Sequence, residues 1–128
     1  MGVELPELLI RATPTFVVST ALATRDFQDV HHDRDSAVAR GSKDIFVNIL
    51  TDTGLVQRFV TDWAGPGARV RSISIRLGVP CYAYDTLAFS GRVIEVTGPA
   101  VTVQVVARGQ LGEHITGTVA LSIPGDLR

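Results

Sequence analysis

Residues 46–63, Phe-Val-Asn-Ile-Leu-Thr-Asp-Thr-Gly-Leu-Val-Gln-Arg-Phe-Val-Thr-Asp-Trp, carry the pattern on which the fold turns. Phe46, Ile49, Leu50, Val56, Phe59, Val60 and Trp63 recur at three- and four-residue steps, which gives a helix one apolar face. Gly65-Pro66-Gly67 ends the pattern. Gly54, in its middle, costs about 1 kcal/mol of helix propensity against alanine. Either another backbone or a ligand comes close there, or the glycine is merely tolerated.

Beyond this helix the period drops to two. Ile73, Ile75, Leu77 and Val79 alternate with Ser72, Ser74 and Arg76, and Leu87, Phe89 and Val93 with Thr86, Ser90 and Arg92. Val101, Val103 and Val105 alternate with Thr102 and Gln104, and Ile115, Val119, Leu121 and Ile123 with Thr116, Thr118 and Ser122. Turn-rich breaks at 79–80, 97–99 and 108–112 separate four strands. Upstream, residues 15–23 (TFVVSTALA) are rich in β-branched residues and follow Pro14, so they read as a first strand. Residues 35–40 suit a short helix ended by Gly41. Strands with one apolar face need a cover, and 46–63 is the helix available. The expected architecture is α+β: an antiparallel sheet of about five strands wrapped around one long central helix, an order that the hotdog arrangement has and other α+β folds share, with residues 1–128 as a single domain.

The chain has 128 residues, 45% of them apolar and 20% charged, which suits one globular core. A formal net charge of -1 provides no basic field for nucleic acid. Cys81 is the one cysteine, so no internal disulfide forms and a reducing compartment is the default. The first 16 residues carry two glutamates and no basic region ahead of an apolar run, unlike a signal peptide. No stretch approaches the roughly 20 apolar residues that span a bilayer. A soluble, cytoplasmic protein is expected. A mean hydropathy of +0.24 is high for a domain this small and suggests apolar surface turned toward another subunit.

Residues 24–41 are dense in Asp, Arg and His. Within them Asp26-Phe27-Gln28-Asp29-Val30-His31 places a carboxylate, an amide and an imidazole where they could converge on one water. Such a pair can remove a proton as a nucleophile forms and deliver one to a developing carbanion. By spacing alone, turn and capping roles are the first reading of Asp26 and His31.

The segment 23–35 resembles the signature loop of the MaoC-like, type-2 enoyl-CoA hydratases, whose pattern is Asp-x-Asn-Pro-(aliphatic)-His. Asp26 and His31 stand at the catalytic Asp and His, Gln28 at the Asn, Asp29 at the Pro and Val30 at the aliphatic position. Residues 76–87, Arg-Leu-Gly-Val-Pro-Cys-Tyr-Ala-Tyr-Asp-Thr-Leu, resemble the family's Pro-rich turn followed by Gly-Asp-x-Leu, with Tyr84 replacing the glycine. The likeness runs from about Thr15 to Ile123. Residues 41–66, GSKDIFVNILTDTGLVQRFVTDWAGP, are similar to the small-subunit branch found in actinobacterial steroid side-chain hydratases. The resemblance implies syn addition of water to a trans-2-enoyl-CoA, with CoA as part of the substrate and no separate cofactor. It further implies a steroid side-chain substrate from cholesterol breakdown, a second hotdog subunit, a heterodimer that doubles, and a downstream aldolase as a further partner.

Three departures from the family pattern bear on the site. Gln28 keeps a carboxamide one methylene further out, and its implied contact is the water or Asp26. Asp29 removes the φ restraint of proline. Val47-Asn48 occupies the place of a His-Gly pair, so backbone N–H groups at Asn48 or Ile49 are the implied donors to the thioester oxygen.

Other residues have plainer readings. His31, His32, Asp33 and Asp35 superficially suggest a metal site, but no distant His or Cys set completes it, and no metal is expected. His114 falls on the polar face of a strand and reads as exposed. Cys81 reads as a buried or interface thiol, and Trp63 as core or interface. Arg69, Arg71 and Arg76 could meet CoA phosphates or form salt bridges with a partner. Two alternatives remain: a hotdog thioesterase, with Asp52 as its central-helix candidate, and a non-catalytic subunit shaping a partner's tunnel.

Overall fold

The computed structural model describes residues 2–124. The first strand, β1, is Leu8–Ala12, followed by α1 (Pro14–Ala23), a 3-10 turn (Asp29–His31), α2 (Arg34–Ala39) and α3 (Ile49–Ala64). Four long strands follow: β2 (Arg69–Leu77), β3 (Asp85–Thr97), β4 (Ala100–Gly109) and β5 (Gly112–Ser122). They form one antiparallel sheet in the order β1-β3-β4-β5-β2. This is the hotdog architecture, and its four sequential strands lie where the alternation predicts.

The first strand is a correction. Residues 15–23 are helical, and the strand lies earlier, with Leu8 opposite Phe89 and Ala12 opposite Asp85. Helical capping overrides β propensity here. Thr13 Oγ1 accepts the Phe16 N–H at 3.1 Å, and Pro14 sits in the first turn, where its missing N–H costs nothing. The buried residues Val17 and Ala21 are four apart, a helical step.

α3 begins three residues later than its apolar pattern. Asn48 caps it, and Ile45–Val47 stay extended, with Phe46 bridged to Tyr82. Its buried face is Thr51, Asp52, Leu55, Val56, Phe59 and Val60, while Ile49 and Leu50 in the first turn are half exposed. Gly65 closes the helix at φ 91°. A Cβ at Gly54 would meet nothing within 4 Å beyond its own helix, so among the described residues no close approach explains the glycine.

Val56, Phe59 and Val60 pack against the sheet's inner face, including Leu87, Phe89, Val93, Val103, Ile115 and Val119. Phe59 and Phe89 meet at a ring-centroid distance of 5.8 Å. Gly91 makes room for this contact, because a Cβ there would lie 2.9 Å from the Phe59 ring and 3.0 Å from Gln104 O. Phe59→Ala is expected to cost about 3–5 kcal/mol in urea unfolding, since a glycine beneath the ring cannot fill the cavity.

Candidate active site

Asp26 is placed by the way α1 ends. Arg25 N–H donates to Leu22 O at 3.0 Å and Asp26 N–H to Ala21 O at 2.9 Å, the paired bonds of a Schellman cap. Arg25 takes the left-handed position at φ 59°, where glycine is usual. The 3-10 turn then brings the chain back, with His31 N–H donating to Gln28 O at 3.1 Å. His31 Nε2 comes to 3.5 Å from Asp26 Oδ2, the histidine buried and the carboxylate partly open. At that separation both groups can address a single water.

Each member is held by the extended segment before α3. The Nδ1–H of His31 donates to Phe46 O at 2.8 Å, since a carbonyl can only accept, and this bond turns the ring's Nε2 toward Asp26. The Phe46 ring stands edge-on to the imidazole at 4.8 Å. Asn48 Nδ2 donates to Asp26 Oδ2 at 3.2 Å and to Thr24 Oγ1 at 2.9 Å. Asn48 Oδ1 accepts from Thr51 N–H and from the Thr51 hydroxyl. One carboxamide thus caps the helix and fixes the carboxylate.

The residues singled out by sequence fare differently. Asp26, His31 and Asn48 converge. Gln28 is exposed, and its backbone N–H, rather than its carboxamide, reaches Asp26 Oδ1 at 3.3 Å. Ile49 lies at the first helical position, half exposed. The histidines and aspartates after position 30 diverge: His31 points inward, His32 is exposed, and Asp33 accepts the Ser36 N–H as the α2 cap. That backbone bond holds the Asp33 carboxyl below its ordinary value. Tyr84 replaces the family's glycine yet keeps a left-handed backbone, φ 76°. Arg69, Arg71 and Arg76 are exposed on β2, and Arg71 donates to Ser122 Oγ. Burial pushes the Cys81 thiol up to about 12, which makes it inert as a nucleophile.

Sequence reasoning missed two features. One is the Asn48 side chain, although Asn directly ahead of an apolar-periodic run is a capping signal. The other is His114, expected on the surface and found buried, with only 3% of its area exposed. A β-bulge causes this. Ala107 pairs with Ile115 but Arg108 pairs with Glu113, so His114 is an extra residue that turns inward beside Ile115. Its Nδ1–H donates to Val79 O at 2.7 Å. Nε2 lies 2.9 Å from Asp52 Oδ1 and 2.8 Å from Oδ2, and the hydrogen bond runs to Oδ1, leaving Oδ2 with the ion-pair contact alone.

Asp52 is fully buried, and burial pushes its carboxyl up against the opposing pull of His114. Burial alone would lower His114, but the Asp52 carboxylate and the Val79 carbonyl outweigh it and raise it. Both shifts strengthen the pair's hold on a proton beyond that of the two free side chains.

Two surface clefts adjoin the loop. One, of about 520 Å³, is lined by Phe27, Gln28, Asp29, Val30 and Arg40. The other, of about 590 Å³, is lined by Pro14, Val18, His32, Arg34, Asp44, Ile45 and Tyr84. Neither includes Asp26 or His31. Among the described residues no helix is long and apolar enough to cross a membrane.

No family model matches the chain. The chain is 69% identical over 123 residues to the 3-oxo-4,17-pregnadiene-20-carboxyl-CoA hydratase beta subunit of Mycobacterium tuberculosis, covering 96% of this chain and 95% of that one. It superposes with a TM-score of 0.94 and 70% identity on a chain of the ChsH1–ChsH2 complex from M. tuberculosis, over 95% and 96% of the two chains. The A. caviae (R)-hydratase involved in PHA biosynthesis shares the fold at a TM-score of 0.88 with 20% identity, over 96% of each chain. The chain belongs to the MaoC-like hotdog hydratases. Within that family it is similar to the beta subunit of a steroid-CoA hydratase.

The raised His114 makes stability depend on pH. Above the ordinary histidine value of about 6.5, an unfolded chain releases this proton while the folded pair holds it. Folded protein then binds more protons than unfolded, and stability falls as pH rises until the pair titrates, with a limiting slope of about 1.4 kcal/mol per pH unit. Urea unfolding between pH 6 and 9 is expected to show that decline, and Asp52→Asn to lack it.

Proposed function

We propose that this chain is the catalytic subunit of a heteromeric hydratase that adds water across the trans-2 double bond of an enoyl-CoA thioester, giving the 3-hydroxyacyl-CoA. The convergence of Asp26 and His31, each anchored to residues 46–48, carries this reading. A water held between them loses one proton to the pair as its oxygen bonds to C3, and the pair returns one proton to C2. Asp26 orients and helps deprotonate the water, and His31 takes part in delivering the proton to C2. The balance closes with no other reactant, and the thioester itself activates the alkene, so no cofactor is called for beyond the CoA of the substrate.

The developing enolate oxygen needs donors that are fixed before reaction. In the first turn of α3, Thr51 N–H is taken by Asn48 Oδ1 and Asp52 N–H by Asn48 O. The N–H of Ile49, at the positive end of the helix dipole, is the proposed donor.

The similarity to the M. tuberculosis beta subunit supports a steroid side-chain enoyl-CoA as substrate. A second hotdog subunit follows from the likeness to a two-component complex, and would wall in a ring system for which neither cleft beside the loop offers an enclosed site. We extend this to a heterodimer that doubles, working in the cytoplasm with a downstream aldolase. Asp52, the carboxylate a thioesterase would need, is fully buried against His114 and out of reach of a thioester.

The test is hydration of a steroid side-chain enoyl-CoA by the chain co-expressed with its partner hotdog subunit, followed by loss of the conjugated thioester absorbance. Asp26→Asn and His31→Ala are each expected to lower kcat by about 10²–10⁴-fold. Unchanged turnover in both variants would make the chain a tunnel-shaping subunit instead. Release of free CoA would mark it as a thioesterase.

A further inference from the structure

The buried Asp52–His114 pair lies outside the proposed chemistry, yet its bonds lead to both groups that perform it. Residues 78–79 are tied to 113–114 by three bonds: Gly78 N–H to His114 O at 2.9 Å, Val79 N–H to Glu113 O at 3.0 Å, and His114 Nδ1–H to Val79 O at 2.7 Å. The chains approach so closely that a Cβ on Gly78 would lie 2.3 Å from Glu113 O. Past Pro80 the same chain pairs with the segment ahead of α3, with Val47 N–H donating to Cys81 O and Ala83 N–H to Ile45 O, both at 3.0 Å. From its other nitrogen His114 holds Asp52, whose N–H donates to Asn48 O at 3.1 Å.

His114 therefore grips residues 45–48 from two sides, through 78–83 and through the first turn of α3. That short segment presents Phe46 O to His31 and Asn48 Nδ2 to Asp26. Stability alone does not account for an ion pair here, because well-packed apolar residues of similar volume often serve a buried site as well or better. What an apolar pair lacks is direction. We propose that Asp52 and His114 are positioning residues for hydration, acting through Asn48 to hold Asp26 at its working distance from His31. The proposal rests on the reading of Asp26 and His31 given above.

A double-mutant cycle in the complex with the partner subunit tests it, with turnover counted per assembled complex by mass measurement. Asp52→Asn is expected to lower kcat about tenfold while KM stays within roughly twofold, since misplacement of a reacting group is paid in the chemical step. In an Asn48→Ala background the same substitution should cost nothing further, because the route to Asp26 is already cut. Equal losses in the two backgrounds, or unchanged kcat in Asp52→Asn, overturn the proposal. If Asp52→Asn does not assemble, His114→Gln takes its place in the cycle, keeping an amide between Val79 O and Asp52. Failure of both to assemble assigns the pair to folding and likewise overturns it. Asp26→Asn runs alongside: if it is inactive while the cycle is additive, the hydratase reading stands and this inference falls, whereas an active Asp26→Asn removes both.

Discussion

A carbonyl and a carboxamide two residues apart, Phe46 O and Asn48 Nδ2, hold the two halves of the candidate site in register. Each bond is ordinary, and a typical one contributes about 0.5–1.5 kcal/mol net. Their importance is geometric. His31 arrives from a 3-10 turn and Asp26 from the end of a helix, and nothing in either local conformation aims one at the other. The extended segment 45–48 gives both a shared frame, and it is rigid because it pairs with 81–83 on one side and starts a helix on the other. The sheet and α3 serve the chemistry by keeping that segment in place.

Much of the fold is legible in the sequence because solvent imposes it. Strands β2 to β5 each leave one face for the core, so period two is written plainly in Val101–Val105 and again in Val119–Ile123. α3 is legible for the same reason, through Val56, Phe59 and Val60. The first strand is not. Leu8–Ala12 is five residues long with an arginine inside it, while the β-branched run after it has its start capped as a helix by Thr13, with Pro14 in the first turn. Composition and capping disagree there, and capping prevails.

The site divides along a similar line. Asp26 and His31 are readable as a loop motif because both lie within six residues and match a family pattern. Gln28 and Asn48 show the limit of such matching, since a pattern names a residue without saying whether its backbone or its side chain does the work. Gln28 contributes an N–H and Asn48 a carboxamide, the reverse of what substitution into the family pattern suggests. Arg25 and Tyr84 add a cost that patterns also hide. Each holds a left-handed backbone without glycine, at about 1–3 kcal/mol for such a conformation. Arg25 does so immediately before Asp26, where the strained turn sets the direction in which the carboxylate leaves α1.

The extra residue in β5 reaches beyond this chain. Alternation is the usual guide for choosing which strand positions are safe to redesign, and along β5 it marks His114 as a harmless surface site. A library built on that guide would vary His114 freely, losing its hold on Asp52 and on the loop at Val79 in the same step. The bulge shifts the inside-outside count by one residue, so substitution tolerance measured along β5 should change phase at position 114. That break in phase would give the strand's true register to anyone working from variant data without coordinates.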